Sequence, residues 1–161
     1  MSRVLRIFVD TSVFGGCFDS KFEADSRRIV ELARTARIVL IISDVVLAEL
    51  EPAPEPVRAI LQGPTRPQLE VYPIDDEVAD LRDAYLSAGV LTQRWIGDAT
   101  HVATATVARA DALVSWNFKH IVRLDRIKAF NQVNLANGYG ILMILSPAEL
   151  REYESRDDSG F

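Results

Sequence analysis

The sequence is poor in cysteine: Cys17 stands alone among 161 residues. A single thiol cannot close an internal disulfide and is too few for a structural zinc site. Neither device is expected to hold the fold, and a reducing cytoplasm is the expected compartment. Long hydrophobic runs are missing as well. No apolar stretch approaches the roughly 20 residues needed to cross a bilayer. The opening Met-Ser-Arg-Val-Leu-Arg meets charge too early for a signal peptide, so neither membrane insertion nor secretion is expected. Positive charge is in deficit, with 18 Lys and Arg against 23 Asp and Glu and a net charge of −5. Salt-driven binding to nucleic acid relies on surplus Lys and Arg along a contact face, so any nucleic-acid site here has to be local.

What is present is apolar residue in quantity, 48% of the chain, enough for one globular domain with a real core. We assign residues 1–154 to that domain and the polar residues 155–161 to a tail. Five short apolar runs have the length and β-branched content of strands: Val4 to Val9, Ile38 to Ile42, Leu69 to Ile74, Ala112 to Val114 and Ile141 to Leu145. Helical spacing lies between them, in Ile29, Leu32, Ala33 and Ala36, in Val57, Ile60 and Leu61, in Val78, Leu81 and Tyr85, and in Ala99, Val102, Ala103 and Val107. Strands alternating with helices imply an α/β fold with a mainly parallel sheet, because a parallel pair needs a crossover long enough to hold a helix. The segment Glu51 to Pro67 carries five of the seven prolines and is expected to be a loop or an interrupted helix.

In such a sheet ligands bind beyond the carboxyl ends of the strands, which gives weight to polar residues just after an apolar run. Asp10 follows Ile7-Phe8-Val9 and leads into Thr11-Ser12. Glu49 lies in a short helix that Ser43 is expected to cap, just after the second run. Asp98 opens the Ala-rich helical segment, and Asn117 comes immediately after the fourth run. Taken singly, each has an ordinary explanation as a cap, a turn residue or a solvated carboxylate. Parallel adjacent strands would nonetheless bring the set to one edge, and that convergence is not expected of caps and turns. Three carboxylates and an amide oxygen are hard donors suited to Mg²⁺ or Mn²⁺, whereas zinc favours His or Cys.

These residues in this order, Val9-Asp10-Thr11-Ser12, Glu49, Asp98 and Leu113-Val114-Ser115-Trp116-Asn117-Phe118, resemble the PIN domain, and the likeness runs from Arg6 to about Leu145. The resemblance implies a Rossmann-like three-layer α/β/α fold of about five strands. It also implies a metal-dependent endoribonuclease of the VapC-like kind, the toxin of a toxin–antitoxin pair. Carried over residue by residue, Asp10, Glu49, Asp98 and Asn117 become the candidate catalytic and metal-ligating residues. Asn117 falls where many members carry a fourth acid; its amide adds no charge, so one tightly bound metal is expected. Ser12 and Thr11 are the candidates for orienting the ligands.

The resemblance also implies an RNA substrate and an antitoxin partner whose extended segment covers the active-site groove. The positive stretch after Asn117, comprising Lys119, Arg123, Arg126 and Lys128, is the candidate RNA contact, with a solvated helix face as its ordinary explanation. Phe14, Phe18 and Phe22 suit either the core or a surface for that partner or a homodimer. Trp95 and Trp116 are assigned to packing in preference to base stacking. His101 and His120, the only histidines, are not assigned as catalytic bases.

Other readings fare less well. A haloacid-dehalogenase-like phosphatase needs a second Asp two residues after the first, and Ser12 stands there. Phe14-Gly15-Gly16-Cys17 lacks the spaced glycines of a dinucleotide site. The alternative of a different class is a non-catalytic PIN-like module that binds RNA or protein.

Overall fold

Ile7, Phe8 and Val9 are all but inaccessible to water, and the strand that holds them, β1 (Leu5–Val9), lies at the middle of the sheet. The computed structural model describes residues 3–158, with side chains described as far as residue 152. β2 (Ile38–Ser43), β3 (Leu69–Tyr72), β4 (Ala112–Val114) and β5 (Ile144–Leu145) complete the order β3-β2-β1-β4-β5. Every neighbouring pair is parallel, with Ile7 opposite Leu40 on one side and Ala112 on the other. The expectation of a mainly parallel sheet is therefore met in full. β1, β2 and β4 are the apolar strands covered on both faces, whereas β3, an edge strand, leaves Val71 46% exposed.

The helices are α1 (Thr11–Gly16), α2 (Glu23–Arg34), α3 (Asp44–Leu50), α4 (Glu55–Arg58), α5 (Asp76–Ser87), α6 (Ile96–Val107), α7 (Leu124–Ala136) and α8 (Pro147–Asp158). Right-handed crossovers put helices on opposite faces when the strand order reverses direction. Accordingly α1, α2 and α8 pack as one group and α5, α6 and α7 as another. Tyr85 of α5 ties the second group together, its hydroxyl donating to Asn134 Oδ1 of α7 at 2.5 Å and lying 3.3 Å from Thr106 Oγ1 of α6. α6 is buried from Ala99 to Val107 despite three threonines. Each hydroxyl is satisfied by the carbonyl one turn back, Thr100 on Ile96, Thr104 on Thr100 and Thr106 on Val102, at 2.7, 2.7 and 2.9 Å.

Two details differ from the sequence-based expectation. Ala36 was grouped with the apolar face of α2, but the helix ends at Arg34 and Ala36 turns left-handed, with φ of 59°. The turn is closed by Arg37 N–H on Leu32 O at 2.9 Å and Ala36 N–H on Ala33 O at 3.2 Å. Arg109 ends α6 in the same way, with φ of 55°, and Gly89 and Gly138 do so for α5 and α7. The last strand is shorter than Ile141 to Leu145 because Asn131 of α7 takes both backbone groups of Leu142. Its Oδ1 accepts from Leu142 N–H at 2.7 Å and its Nδ2 donates to Leu142 O at 3.1 Å, and Ile141 is left 73% exposed. Glu51 to Pro67 does hold interrupted helix, namely α4 followed by a single 3-10 turn at Ala59–Leu61.

The amino-terminal ends of the strands are tied by charge. Arg6 of β1 reaches across to Glu70 of β3 with contacts of 2.6 and 3.1 Å. It also donates to Ala108 O at 2.8 Å, while its own N–H donates to Asp111 Oδ2 at 2.8 Å. α8 carries the polar stretch at Ser155 as far as Asp158; the rest of the expected tail, residues 159–161, lies outside the described residues. No helix among the described residues is long and apolar enough to cross a membrane.

Candidate active site

The strand order reverses between β1 and β4, and in an open parallel sheet that reversal opens a crevice at the carboxyl ends of the two strands. Asp10 follows β1 there. It stands at the N-cap of α1 with extended backbone but makes no side-chain capping bond, so the cap explanation does not account for it. Its carboxylate is instead held sideways: Ser12 Oγ donates to Oδ1 at 2.5 Å and Ser115 Oγ, just past β4, donates to Oδ2 at 2.6 Å. Ser12 Oγ in turn accepts from Trp116 N–H at 3.0 Å, and Ser115 Oγ accepts from Asn117 N–H at 2.9 Å. Asp10 is only 4% exposed. Burial pushes its carboxyl above the ordinary carboxylate range, against the pull of His101 and of the Ser115 and Ser12 bonds, and Asp98 adds to the rise.

Glu49 comes from α3, whose start is capped as expected, Ser43 Oγ accepting from Val46 N–H at 3.3 Å. Thr11 Oγ1 donates to Glu49 Oε2, and His101 Nε2 lies 3.2 Å from Glu49 Oε1. That oxygen rests 3.7 Å from the place a Cβ on Gly97 would take, so the α3 carboxylate leans on the first turn of α6. Asp98 sits in that turn, with Oδ2 3.0 Å from His120 Nδ1.

His101 bonds one of the acids and feels the charge of all three. It lies one turn after Asp98, 2% exposed, and burial lowers the affinity of its ring for a proton. The bond to Glu49 and the fields of Asp10, Glu49 and Asp98 outweigh that penalty and hold its pKa above the ordinary imidazole value. Burial raises the pKa of Glu49 too, but His101 and Thr11 more than offset it and keep the carboxyl below its usual value. Among the described residues, His101 Nδ1 is buried without a hydrogen-bond partner.

The fourth position is more constrained. Asn117 Oδ1 accepts from His120 N–H at 2.9 Å, folding the turn that carries His120 to Asp98. One lone pair stays free, which makes the amide the weakest donor of the four. Of the four cations that follow, Lys119 stands beside Trp95, with Nζ 5.7 Å from the ring centroid. Arg123 pairs with Asp125 at 2.8 Å, and Arg126 turns its guanidinium to Val90 O. Lys128 is exposed on α7. Phe14 is core, Phe18 is 47% exposed, and Phe22 is half-buried against Trp116.

The donor set fits a hard divalent cation: three carboxylates of like charge, one of them buried, each already oriented by a hydroxyl or an imidazole. Among the described residues no three such side chains already converge at metal-holding distance. Glu49 is paired instead with His101, and Asp98 with His120. Those histidines, and Ser115, are the members of the site that sequence reasoning missed. The available signals were a serine directly after β4 and a histidine one helical turn after Asp98.

No protein-family model matches the chain, and no curated protein matches it by sequence. Solved structures do. A chain of FitAcB from Neisseria gonorrhoeae superposes with a TM-score of 0.59 and 14% identity, over 88% of this chain and 97% of that one. A chain of VapBC2 from Rickettsia felis, bound to a DNA fragment from their promoter, superposes with a TM-score of 0.54 and 17% identity, over 88% of this chain and 98% of that one. The all-parallel five-stranded sheet, its flanking helices and this likeness together identify the architecture as the PIN-like α/β fold.

Proposed function

We propose that the chain is a divalent-metal-dependent endoribonuclease, the toxin of a toxin–antitoxin pair. The observation that carries the reading is that Asp10, its two oxygens held by Ser12 and Ser115, stands at the carboxyl end of β1 where the strand order reverses, while Glu49 is bonded to His101 and Asp98 to His120. The acids are the proposed ligands of Mg²⁺ or Mn²⁺, with Asn117 as an uncharged fourth donor. When bound, such a cation supplies acidification of a water and neutralisation of the charge that builds on phosphate oxygens.

The chain's own part is orientation. Ser12 and Ser115 hold both oxygens of Asp10 in one geometry. Thr11 and His101 do the same for Glu49, and His120 for Asp98. The hydroxyls of Thr11, Ser12 and Ser115 donate to the carboxylates proposed as metal ligands, so attack by water is the reading we favour. The fold shared with VapBC2 and FitAcB supports an antitoxin partner, and the exposed Phe18 is a candidate contact for it or for a second copy.

The test is cleavage of a mixed RNA pool by purified protein with Mg²⁺ or Mn²⁺ and with chelator, beside Asp10→Asn and Asp98→Asn. Cutting should need both the metal and the acids. The separation of the acids onto histidines is the observation that favours a non-catalytic RNA- or protein-binding module. Failure of a folded, metal-supplied protein to cut any RNA would select that alternative.

A further inference from the structure

The start of α6 and the loop after β4 are clasped through one indole. Trp95 ends the 3-10 turn Gln93–Trp95 and is the N-cap residue of α6, one turn before Asp98. Two consecutive residues of the loop reach its ring. The His120 imidazole lies against it, with centroids 4.1 Å apart and planes 36° apart, and Lys119 Nζ lies 5.7 Å from its centroid. Arg94 adds a second cation, its guanidinium 4.9 Å from the same centroid. The ring quadrupole attracts both cations, so the clasp is held by charge as well as by contact. Trp95 is partly buried at the rim of the core, and packing accounts for a large apolar ring there. It does not account for two neighbours in sequence, Lys119 and His120, both turned onto that ring.

His120 meets the first turn of α6 twice, through the Trp95 ring and through Asp98, whose Oδ2 lies 3.0 Å from its Nδ1. Its backbone N–H donates to Asn117 Oδ1 at 2.9 Å. That bond fixes where the side chain begins and leaves the imidazole two torsions about which to turn. The bond to Asp98 restrains one edge of the ring, and the indole restrains its plane. With the indole removed, the ring is free to tilt, and a hydrogen bond weakens steeply as its angle closes.

We propose that Trp95 is a positioning residue for the metal: by fixing the plane of the His120 ring, it holds the Asp98 carboxylate in the orientation that the divalent cation takes. The inference rests on the metal-dependent reading and extends it to a side chain that contacts neither the acids nor the cation. Groups behind the ligands typically set metal affinity by about 10- to 100-fold, because they decide how much ordering a ligand undergoes as the metal binds. The clasp also holds the His120 end of the same loop whose Ser115 end holds Asp10, so two of the three acids depend on where that loop sits.

Mn²⁺ binding to the full chain is measured by calorimetry, beside thermal melts. Trp95→Ala should weaken it about tenfold while remaining folded at the assay temperature. Trp95→Leu, which keeps apolar volume without a ring face, should lose as much. Trp95→Phe, which returns a ring to His120, should recover most of the loss. His120→Ala should lose at least as much as Trp95→Ala, and the double variant should bind no more weakly than His120→Ala by itself, because the indole acts through that imidazole. Raising Mn²⁺ about tenfold should return the RNA-cutting rate of Trp95→Ala to that of the wild type, which a general loss of structure would not allow. Additive losses in the double variant would overturn the proposal. So would wild-type Mn²⁺ affinity in folded Trp95→Ala and Trp95→Leu, or loss of RNA affinity in chelator with Mn²⁺ affinity intact. If the wild type binds Mn²⁺ and cuts RNA while Trp95→Ala does both equally well, the nuclease stands without this role; a wild type that binds no Mn²⁺ removes both.

Discussion

Ser115 joins two parts of the site through one hydroxyl: its Oγ donates to Asp10 Oδ2 at 2.6 Å while accepting from Asn117 N–H at 2.9 Å. The β1 acid and the loop after β4 are therefore positioned by the same atom. Ser115→Ala removes a donor from a buried carboxylate and an acceptor from a backbone amide. We expect it to cost about 1–3 kcal/mol of stability in urea melts. It should also weaken Mn²⁺ binding by calorimetry; wild-type values for both would show that Asp10 does not depend on this bond.

Gly16 is required by contact. A Cβ there would overlap Ser26 Oγ and approach Trp116 Nε1 to 2.9 Å, the two atoms that hold the indole in place. Gly16→Ala should destabilise the protein by about 1–3 kcal/mol, the usual range for an overpacked site. Tryptophan emission should shift as Trp116 moves, and an unchanged melt and spectrum would contradict the packing described.

Ala36 offers a gain. It is exposed and left-handed, a conformation that strains any residue with a Cβ. Ala36→Gly should stabilise the protein by up to about 1 kcal/mol, measured as a higher denaturant midpoint at unchanged slope. A lower midpoint would count against the turn at the end of α2.

These positions also mark what sequence reveals and what it does not. Ile7-Phe8-Val9 and Ala112-Leu113-Val114 announce buried strands because every residue in them is apolar, and Ser43 announces a cap by its place before a helix. The end of α2 is not legible because alanine rarely takes the left-handed turn, so nothing in Ala36 signals a stop. The start of β5 is not legible either, because the group that diverts Leu142 belongs to Asn131, on a helix with little apolar periodicity. Asp10, Glu49, Asp98 and Asn117 are candidates by their order along the chain and by the resemblance that order carries. That His101 and His120 hold two of the acids cannot be read there, since the pairings exist only once α3, α6 and the loop after β4 come together.

Metal-free stability should fall as pH rises through neutrality. The folded-state pKa of His101 lies above its ordinary 6.5, so its contribution is complete below that value and is lost as pH climbs through the raised one. Asp10 is raised from 3.8, and by the same linkage its folded form binds the proton more tightly, again favouring lower pH. Glu49, lowered from 4.5, acts oppositely, but its contribution is lost only as pH falls through its depressed folded pKa, well to the acid side. Thermal melts in chelator between about pH 6 and 9 should show a declining midpoint that His101→Gln flattens. A midpoint that rises over this window would exclude a charged His101 in the folded protein.

The Arg6 cluster has a consequence of its own. At the amino-terminal edge of the sheet, opposite charges are matched, Arg6 with Glu70 and Arg3 with Asp111; at the carboxyl edge, the acids Asp10, Glu49 and Asp98 act on one another and on His101. Mobile ions weaken attraction and repulsion alike. Added monovalent salt therefore loosens one end of the sheet while relaxing the other, and the metal-free protein should show a shallower dependence of stability on ionic strength than either end would show by itself.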